Sequence, residues 1–232
     1  DVMSTRDYGF LQFFVESNQE ALDTILQAYK IAEDERILLP VMVSLDGFYL
    51  SFSSEVVSLP SQDEVDAFLP PYRPTHAILD PADPMALFCE PTAPIHYERM
   101  IEEAMGRTRE VIQEVEEDFA ARFGRRYGLA EAYRCDGAEV VLVTIGSMTG
   151  TAREVIDAFR SRGELVGLLK LRTLRPFPTE ELWNVARKAK VLAIIDRNVS
   201  HGAGESCGVI CLEVKAALYD LPQRPQVINR IA

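Results

Sequence analysis

From residue 138 to 231 the chain alternates short apolar runs with stretches of helical period, and this alternation restricts the fold more than any other feature. Residues 138–145 read as a strand that ends in Gly146-Ser147, 151–162 as a helix and 165–171 as a second strand. A helix over 179–188 follows, with Thr179 as its cap and Glu180 and Glu181 in the first turn, where negative charge suits the positive end of the helix dipole. Residues 191–196 supply a third strand, 208–219 a third helix and 226–231 an edge strand. Strands joined by single helices require right-handed crossovers, which lay them mainly parallel in one sheet with helices over both faces. The fold class is α/β.

The first half is organised differently. After a polar turn at Ser4-Thr5-Arg6-Asp7, the residues Phe10, Leu11, Phe13, Phe14 and Val15 form an apolar burst dense enough for a buried element. Ser17-Asn18-Gln19-Glu20 then offers an N-cap for a helix whose apolar face is Ala21, Leu22, Ile25, Leu26 and Tyr29. The apolar run over 37–45 is short and rich in aliphatic residues, which favours a strand buried on both faces as in a parallel sheet. From 59 to 94 the pattern dissolves into prolines, including Pro70, Pro71, Pro81 and Pro84, and reads as connecting chain laid over a surface. Residues 95–123 carry Met100, Ile101, Met105, Val111, Ile112, Val115 and Phe119 at three- and four-residue steps, which predicts one long amphipathic helix.

Composition narrows the function. With 232 residues the chain has room for one large or two modest domains. A hydrophobic share of 47% and a charged share of 26% argue against disorder and against a coiled coil. The net charge of −12 repels phosphate backbones and anionic lipid, so neither nucleic acid nor a membrane surface is an expected partner. No apolar run reaches the roughly 18 residues of a membrane helix. Asp1-Val2-Met3-Ser4 has neither the basic nor the apolar part of a signal peptide, and a cytoplasmic location is expected. Cys89 and Cys135 stand alone, and Cys207 and Cys211 form CxxxC rather than the paired CxxC blocks of zinc or iron-sulfur ligation. They read as buried free thiols. His76, His96 and His201 are scattered, so no metal site and no catalytic residue is assigned.

Four places offer polar chemistry. Gly146-Ser147-Met148-Thr149-Gly150-Thr151 lies between a strand and a helix, where backbone amides can face an anion, but a tight turn needs the same residues and the segment reads as structural. Leu171-Arg172-Thr173-Leu174-Arg175-Pro176-Phe177-Pro178 ends a strand with two arginines and two stiffening prolines; pairing of the arginines with local carboxylates ranks ahead of substrate contact. Asp196-Arg197-Asn198 carries the same two readings. Arg6, directly before the apolar burst, could hold a carboxylate with its planar fork, whereas chemistry alone favours a surface pair with Asp7.

Taken with Leu45-Asp46-Gly47-Phe48, the stretch from Asp63 to Pro70, His76-Ala77-Ile78-Leu79-Asp80-Pro81 and Tyr133-Arg134-Cys135-Asp136, the segments at 1–10, 171–178 and 195–198 resemble the alpha subunit of 2-oxoacid:ferredoxin oxidoreductases, the pyruvate enzymes above all. The resemblance implies the C-terminal part of a thiamine-diphosphate pyrimidine-binding domain at 1–72, a linker and long helix at 73–134, and a transketolase-C-like parallel-sheet domain at 135–232. It implies oxidative decarboxylation of a 2-oxoacid to acyl-CoA and carbon dioxide, with ferredoxin or an NAD-linked system receiving the electrons. Arg6 matches the family arginine that contacts the substrate carboxylate. Thiamine diphosphate with Mg2+ is expected to be shared with a beta subunit that carries the diphosphate-binding domain, and iron-sulfur clusters to lie in partner subunits, the gamma and ferredoxin-like delta chains.

Two departures shape these expectations. Most of the pyrimidine-binding domain, with its cofactor-activating glutamate, has no counterpart after Asp1, so the 232 residues are expected to be catalytically incomplete alone. Phe48-Tyr49-Leu50-Ser51-Phe52-Ser53 stands where the pyruvate enzymes commonly have a histidine, which leaves pyruvate open against a bulkier aromatic acid such as phenylglyoxylate. Two other readings stay open at this point: a transketolase or dehydrogenase E1-beta-like chain, and a non-catalytic assembly module.

Overall fold

The computed structural model describes residues 2–74, 94–204 and 207–232. His76, Pro81, Pro84 and Cys89 lie outside them, as does the stretch from His76 to Pro81.

The apolar burst becomes β1 (Leu11–Phe14), with Leu11 and Phe13 wholly buried. Ser17 caps α1 (Asn18–Ala32) by accepting the Glu20 amide hydrogen. The helix lies where expected, but it faces the other way. Glu20, Asp23, Thr24, Gln27, Ala28 and Ile31 are buried, whereas Ile25 and Tyr29 of the expected apolar face are exposed. Burying a helix by its polar side is tolerable where partners await each group, and a set of buried cations described below supplies them. β2 (Val41–Ser44) pairs in parallel with β1. It is half-buried along its length and forms an edge, not a strand covered on both faces.

Within the proline-bearing stretch, α2 (Gln62–Phe68) breaks the expectation of plain connecting chain. Its signal was present: Ser61 and Glu64 close a reciprocal capping box, the Ser-x-x-Glu pattern of a helix start. Phe68 at its end meets Phe119 and Phe123 edge-on at 5.4 and 5.7 Å. These two belong to α3 (Pro94–Phe123), the expected long helix, whose buried stripe runs Ala104, Thr108, Val111, Ile112, Val115, Phe119. With Leu11, Phe13, Ile31 and Leu129 this stripe forms the core of the N-terminal half.

The second sheet contains β3 (Ala130–Tyr133), β4 (Val140–Ile145), β5 (Val166–Leu171), β7 (Val191–Asp196) and β8 (Gln226–Ile231) in the order β3-β5-β4-β7-β8. The β5-β4, β4-β7 and β7-β8 pairs are parallel, as the alternation predicts; β3, a four-residue strand not foreseen, adds an antiparallel edge. α4 (Met148–Ser161) starts ahead of the expected 151, and α5 (Thr179–Ala186) has Pro178, not Thr179, at its cap position. α6 (Val209–Leu218) precedes β8.

Alternation along the strands sorts the helices. Val141, Val143, Ile145, Leu192 and Ile194 pack with Leu182, Val185, Val214 and Leu218 of α5 and α6. On the opposite face, Leu142 and Leu168 meet Ala152 and Ile156 of α4. That face is covered in part: beyond α4 a cleft of about 820 Å³ opens over Leu142, Thr144 and Ile195. Helices thus lie over both faces, as expected, α5 and α6 on one and α4 on the other.

Between the sheets, the chain leaves β5 at Arg172 and re-forms as β6 (Thr173–Arg175), which pairs antiparallel with β1. The first sheet thus has the order β2-β1-β6, and Arg172 sits at the seam.

Candidate functional site

Three polar assemblies lie where the halves meet. The first surrounds Arg6. Its side chain is about a quarter exposed, with Nε 3.2 Å from Glu213 Oε1, an ion pair without hydrogen-bond alignment, and 3.7 Å from Asp7. Nη1 donates to the Met3 carbonyl at 3.1 Å, and Nη2 has no hydrogen bond to a described residue. The pairing with Asp7 expected from chemistry alone is thus the weaker contact, and α6 provides the nearer carboxylate. Arg175 joins the group, donating Nη2 to Glu213 at 3.0 Å and to Asp7 at 3.3 Å. Burial works against the Arg175 charge, and Glu213 and Asp7 outweigh it, so its pKa is raised.

The second assembly lies at the carboxyl ends of β4 and β7. From β4 the chain crosses one way to β5 and returns the other way to β7, so the crevice between β4 and β7 is the topological switch point, where open α/β sheets place ligands. Here the chain fills it with its own anion. Asp46 accepts the Ser147 amide hydrogen at 2.7 Å and the Ser147 hydroxyl, and pairs with Arg197 at 2.8 Å. Gly146 has φ +74, and a Cβ there would lie 3.0 Å from the Asp46 carboxylate, so the turn admits no side chain without displacing it. Arg197 also lies over the Tyr49 ring at 5.0 Å. The Gly146 turn is structural, as read, and the anion at its Ser147 amide is the chain's own Asp46. Asp196 points to the other face, where it accepts amide hydrogens of Ile210 and Cys211 and the Asn229 side chain. Burial raises its pKa against these hydrogen bonds.

The third assembly explains the inverted α1. Arg172 is fully buried between the Phe13 and Tyr127 rings, at 5.0 and 5.1 Å. Nη1 donates to Glu116 at 2.9 Å and to the Gly128 carbonyl at 3.1 Å, while Nη2 donates to Thr24 at 2.9 Å and Gln27 at 2.8 Å. Nε lies 3.2 Å from Glu20 Oε1 without hydrogen-bond alignment. Lys170 adds a second buried cation, 2.7 Å from Glu20 and 2.8 Å from Glu16. Both arginines of the 171–178 segment pair with carboxylates, as ranked first, but these come from distant parts of the chain.

Burial acts to raise the Glu16 pKa, but hydrogen bonds from Arg153 and the Lys170 charge outweigh it, so the carboxyl stays below its ordinary 4.5. A depressed folded pKa gives stability that is present above the unfolded value and lost as pH falls through the folded one. Melting temperatures measured between about pH 6 and pH 3.5 should therefore fall more steeply for the unaltered chain than for Glu16→Gln. Parallel curves would contradict this.

Cys207 and Cys211 are buried free thiols, as expected, whereas Cys135 is half-buried. Burial and the neighbouring Cys207 push the Cys211 thiol up to about 11. His96 and His201 are exposed. Among the described residues no group of three or more His, Cys, Asp or Glu side chains is placed to hold a metal ion, and no helix is long and apolar enough to cross a membrane. The roles of Glu213 and Asp46 were not foreseen. Neither has a spacing signal, since the partners of each lie more than a hundred residues away in sequence, apart from Arg175 near Glu213.

A strand-helix sheet with a switch-point crevice is joined through buried ion pairs to a second α/β unit. Residues 1–117 match the family model "pyruvate flavodoxin/ferredoxin oxidoreductase, thiamine diP-bdg", and residues 138–232 match "pyruvate:ferredoxin oxidoreductase core domain II". The chain belongs to the pyruvate:ferredoxin oxidoreductase family. It is 45% identical over 222 residues to the pyruvate synthase subunit PorA of Methanothermobacter thermautotrophicus, covering 95% of this chain and 57% of that protein. It is 40% identical over 228 residues to the ketoisovalerate oxidoreductase subunit VorA of Pyrococcus horikoshii, covering 97% and 57%. Identity to the NADH-dependent phenylglyoxylate dehydrogenase subunit alpha of Aromatoleum evansii is 40% over 241 residues, covering 100% and 57%. The chain thus spans a little over half the length of these relatives. The solved 2-oxoglutarate:ferredoxin oxidoreductase from Magnetococcus marinus shares the fold, with a TM-score of 0.54 at 16% identity over 96% of this chain and 39% of that one.

Proposed function

We propose that this chain is part of the alpha-type subunit of a thiamine-diphosphate-dependent 2-oxoacid oxidoreductase, which converts a 2-oxoacid and coenzyme A to acyl-CoA and carbon dioxide and passes the electrons to iron-sulfur clusters of partner subunits. The observation that carries the reading is the 45% identity, over 95% of the chain, to a pyruvate synthase subunit. The transketolase-like and assembly-module alternatives have no comparable support. We assign the end of the pyrimidine-binding domain to 1–72, a linker with the long helix to 73–134 and the transketolase-C-like domain to 135–232, in a cytoplasmic complex.

When bound, thiamine diphosphate supplies the carbanion chemistry of decarboxylation. The magnesium-diphosphate group is assigned to a diphosphate-binding beta subunit and the iron-sulfur clusters to ferredoxin-like subunits, as the family likeness implies. What this chain offers is Arg6, a partly exposed cation whose Nη2 has no hydrogen bond to a described residue. A planar cationic fork suits a carboxylate and selects 2-oxoacids over simple ketones.

The test is to purify the assembly with its co-purifying subunits and to measure acceptor reduction dependent on coenzyme A with pyruvate, 2-oxoisovalerate and phenylglyoxylate. Turnover that requires thiamine diphosphate, with iron-sulfur absorbance in the preparation, is expected for at least one acid. Thiamine-independent turnover, or a lipoyl-bearing partner in place of iron-sulfur subunits, would overturn the proposal.

A further inference from the structure

We infer that Glu213 is a positioning residue for Arg6, so that α6 of the C-terminal half sets the geometry of the 2-oxoacid carboxylate site. This rests on the reading of Arg6 given above. Glu213 sits on a helix whose neighbouring positions Val209, Ile210, Cys211 and Val214 are buried, and its own side chain is 21% exposed. A carboxylate in that setting needs cationic partners. It has two, and both use one oxygen: Oε1 lies 3.2 Å from Arg6 Nε and 3.0 Å from Arg175 Nη2.

Arg175 is anchored independently. Its Nη1 donates to the Leu174 carbonyl at 2.9 Å, and its backbone is paired with Gln12 across β6 and β1. Glu213 is thereby held from one side by a fixed cation and presents the same oxygen to Arg6 on the other. The Met3 carbonyl restrains Arg6 at Nη1. Together these contacts hold the guanidinium by its Nε and Nη1 positions, and no described residue takes up Nη2, the position for an incoming carboxylate. Prior fixing of a long, rotamer-rich side chain removes an ordering cost from substrate binding.

Charge acts in the opposite sense. Glu213 and Asp7 offset the two guanidinium groups, so the negative charge of Glu213 by itself weakens the binding of an anion. Removing that charge thus separates the two roles by sign: loss of orientation raises KM, and loss of repulsion lowers it.

In the complete subunit assembly, Glu213→Gln is expected to raise KM for the 2-oxoacid about tenfold, the size of one lost close ion pair, with kcat changed less than about threefold. KM for coenzyme A should stay within about twofold, which a general loss of structure would not allow. In an Arg6→Ala background, Glu213→Gln should add no further rise in KM, because nothing remains to be oriented. If Glu213→Gln melts too low for assay, Glu213→Asp keeps the charge, withdraws the oxygen and carries the same test with the same sign. An unchanged or lower KM in the Glu213 variants, beside a raised KM in Arg6→Ala, overturns this inference alone. An unchanged KM in Arg6→Ala overturns the reading beneath it.

Discussion

Arg172→Met should destabilise the fold by about 3–5 kcal/mol, the cost of stripping one partner from a buried ion pair. The reason lies in what the substitution leaves behind. Methionine can occupy the slot between Phe13 and Tyr127, but Glu116 is buried and would lose the guanidinium that faces it, and Glu20 would keep Lys170 alone. Thr24, Gln27 and the Gly128 carbonyl would lose donors as well. Burial already opposes the Arg172 charge and lowers its pKa, and Glu116 and Glu20 work against that. Lysine is no substitute, because a single ammonium cannot span the four acceptors that the two terminal nitrogens reach. Denaturant midpoints check the prediction. Glu116→Gln placed in the Arg172→Met background should recover part of the loss, since Arg172 is the cation that Glu116 pairs with among the described residues. A loss below about 1 kcal/mol for Arg172→Met would mean that water or rearrangement satisfies the carboxylates.

Arg6→Ala in the assembled oxidoreductase should lower kcat/KM for the 2-oxoacid by about 10- to 100-fold, mostly through KM, as a lost charge-assisted contact to the substrate carboxylate. Arg6→Lys should fall between, because it keeps the charge and loses the fork. The fold should change little, since the Arg6 contacts are partly exposed and Arg175 still faces Glu213. A KM effect shared equally by coenzyme A would point to distortion instead of substrate binding.

Most of the second half of the fold was legible because each parallel strand carries its apolar residues in one short run and each helix has a clear period. What escaped depends on partners distant in sequence. The four residues of β3 and the three of β6 are strands because β5 and β1 lie beside them, and nothing local marks them. The α1 helix was misjudged for a related reason: its apolar stripe invites burial, yet Arg172 and Lys170, about 150 positions away, draw its acidic and amide face inward. By contrast, α2 carried a local mark in Ser61 and Glu64 that the surrounding prolines concealed. At the candidate site, Arg6 could be singled out through family likeness, while Glu213 and the Asp46 plug required the tertiary fold.

The account depends on Arg6 meeting the substrate at a thiamine centre, and an experimental structure of the assembled complex with thiamine diphosphate and a 2-oxoacid, or a non-reacting analogue, tests this most directly. The expected result is a guanidinium nitrogen of Arg6 within about 3.2 Å of the ligand carboxylate, on the side of the Glu213 contact. A bound 2-oxoacid whose carboxylate is held by other groups, with Arg6 remote from the thiamine ring, would contradict it.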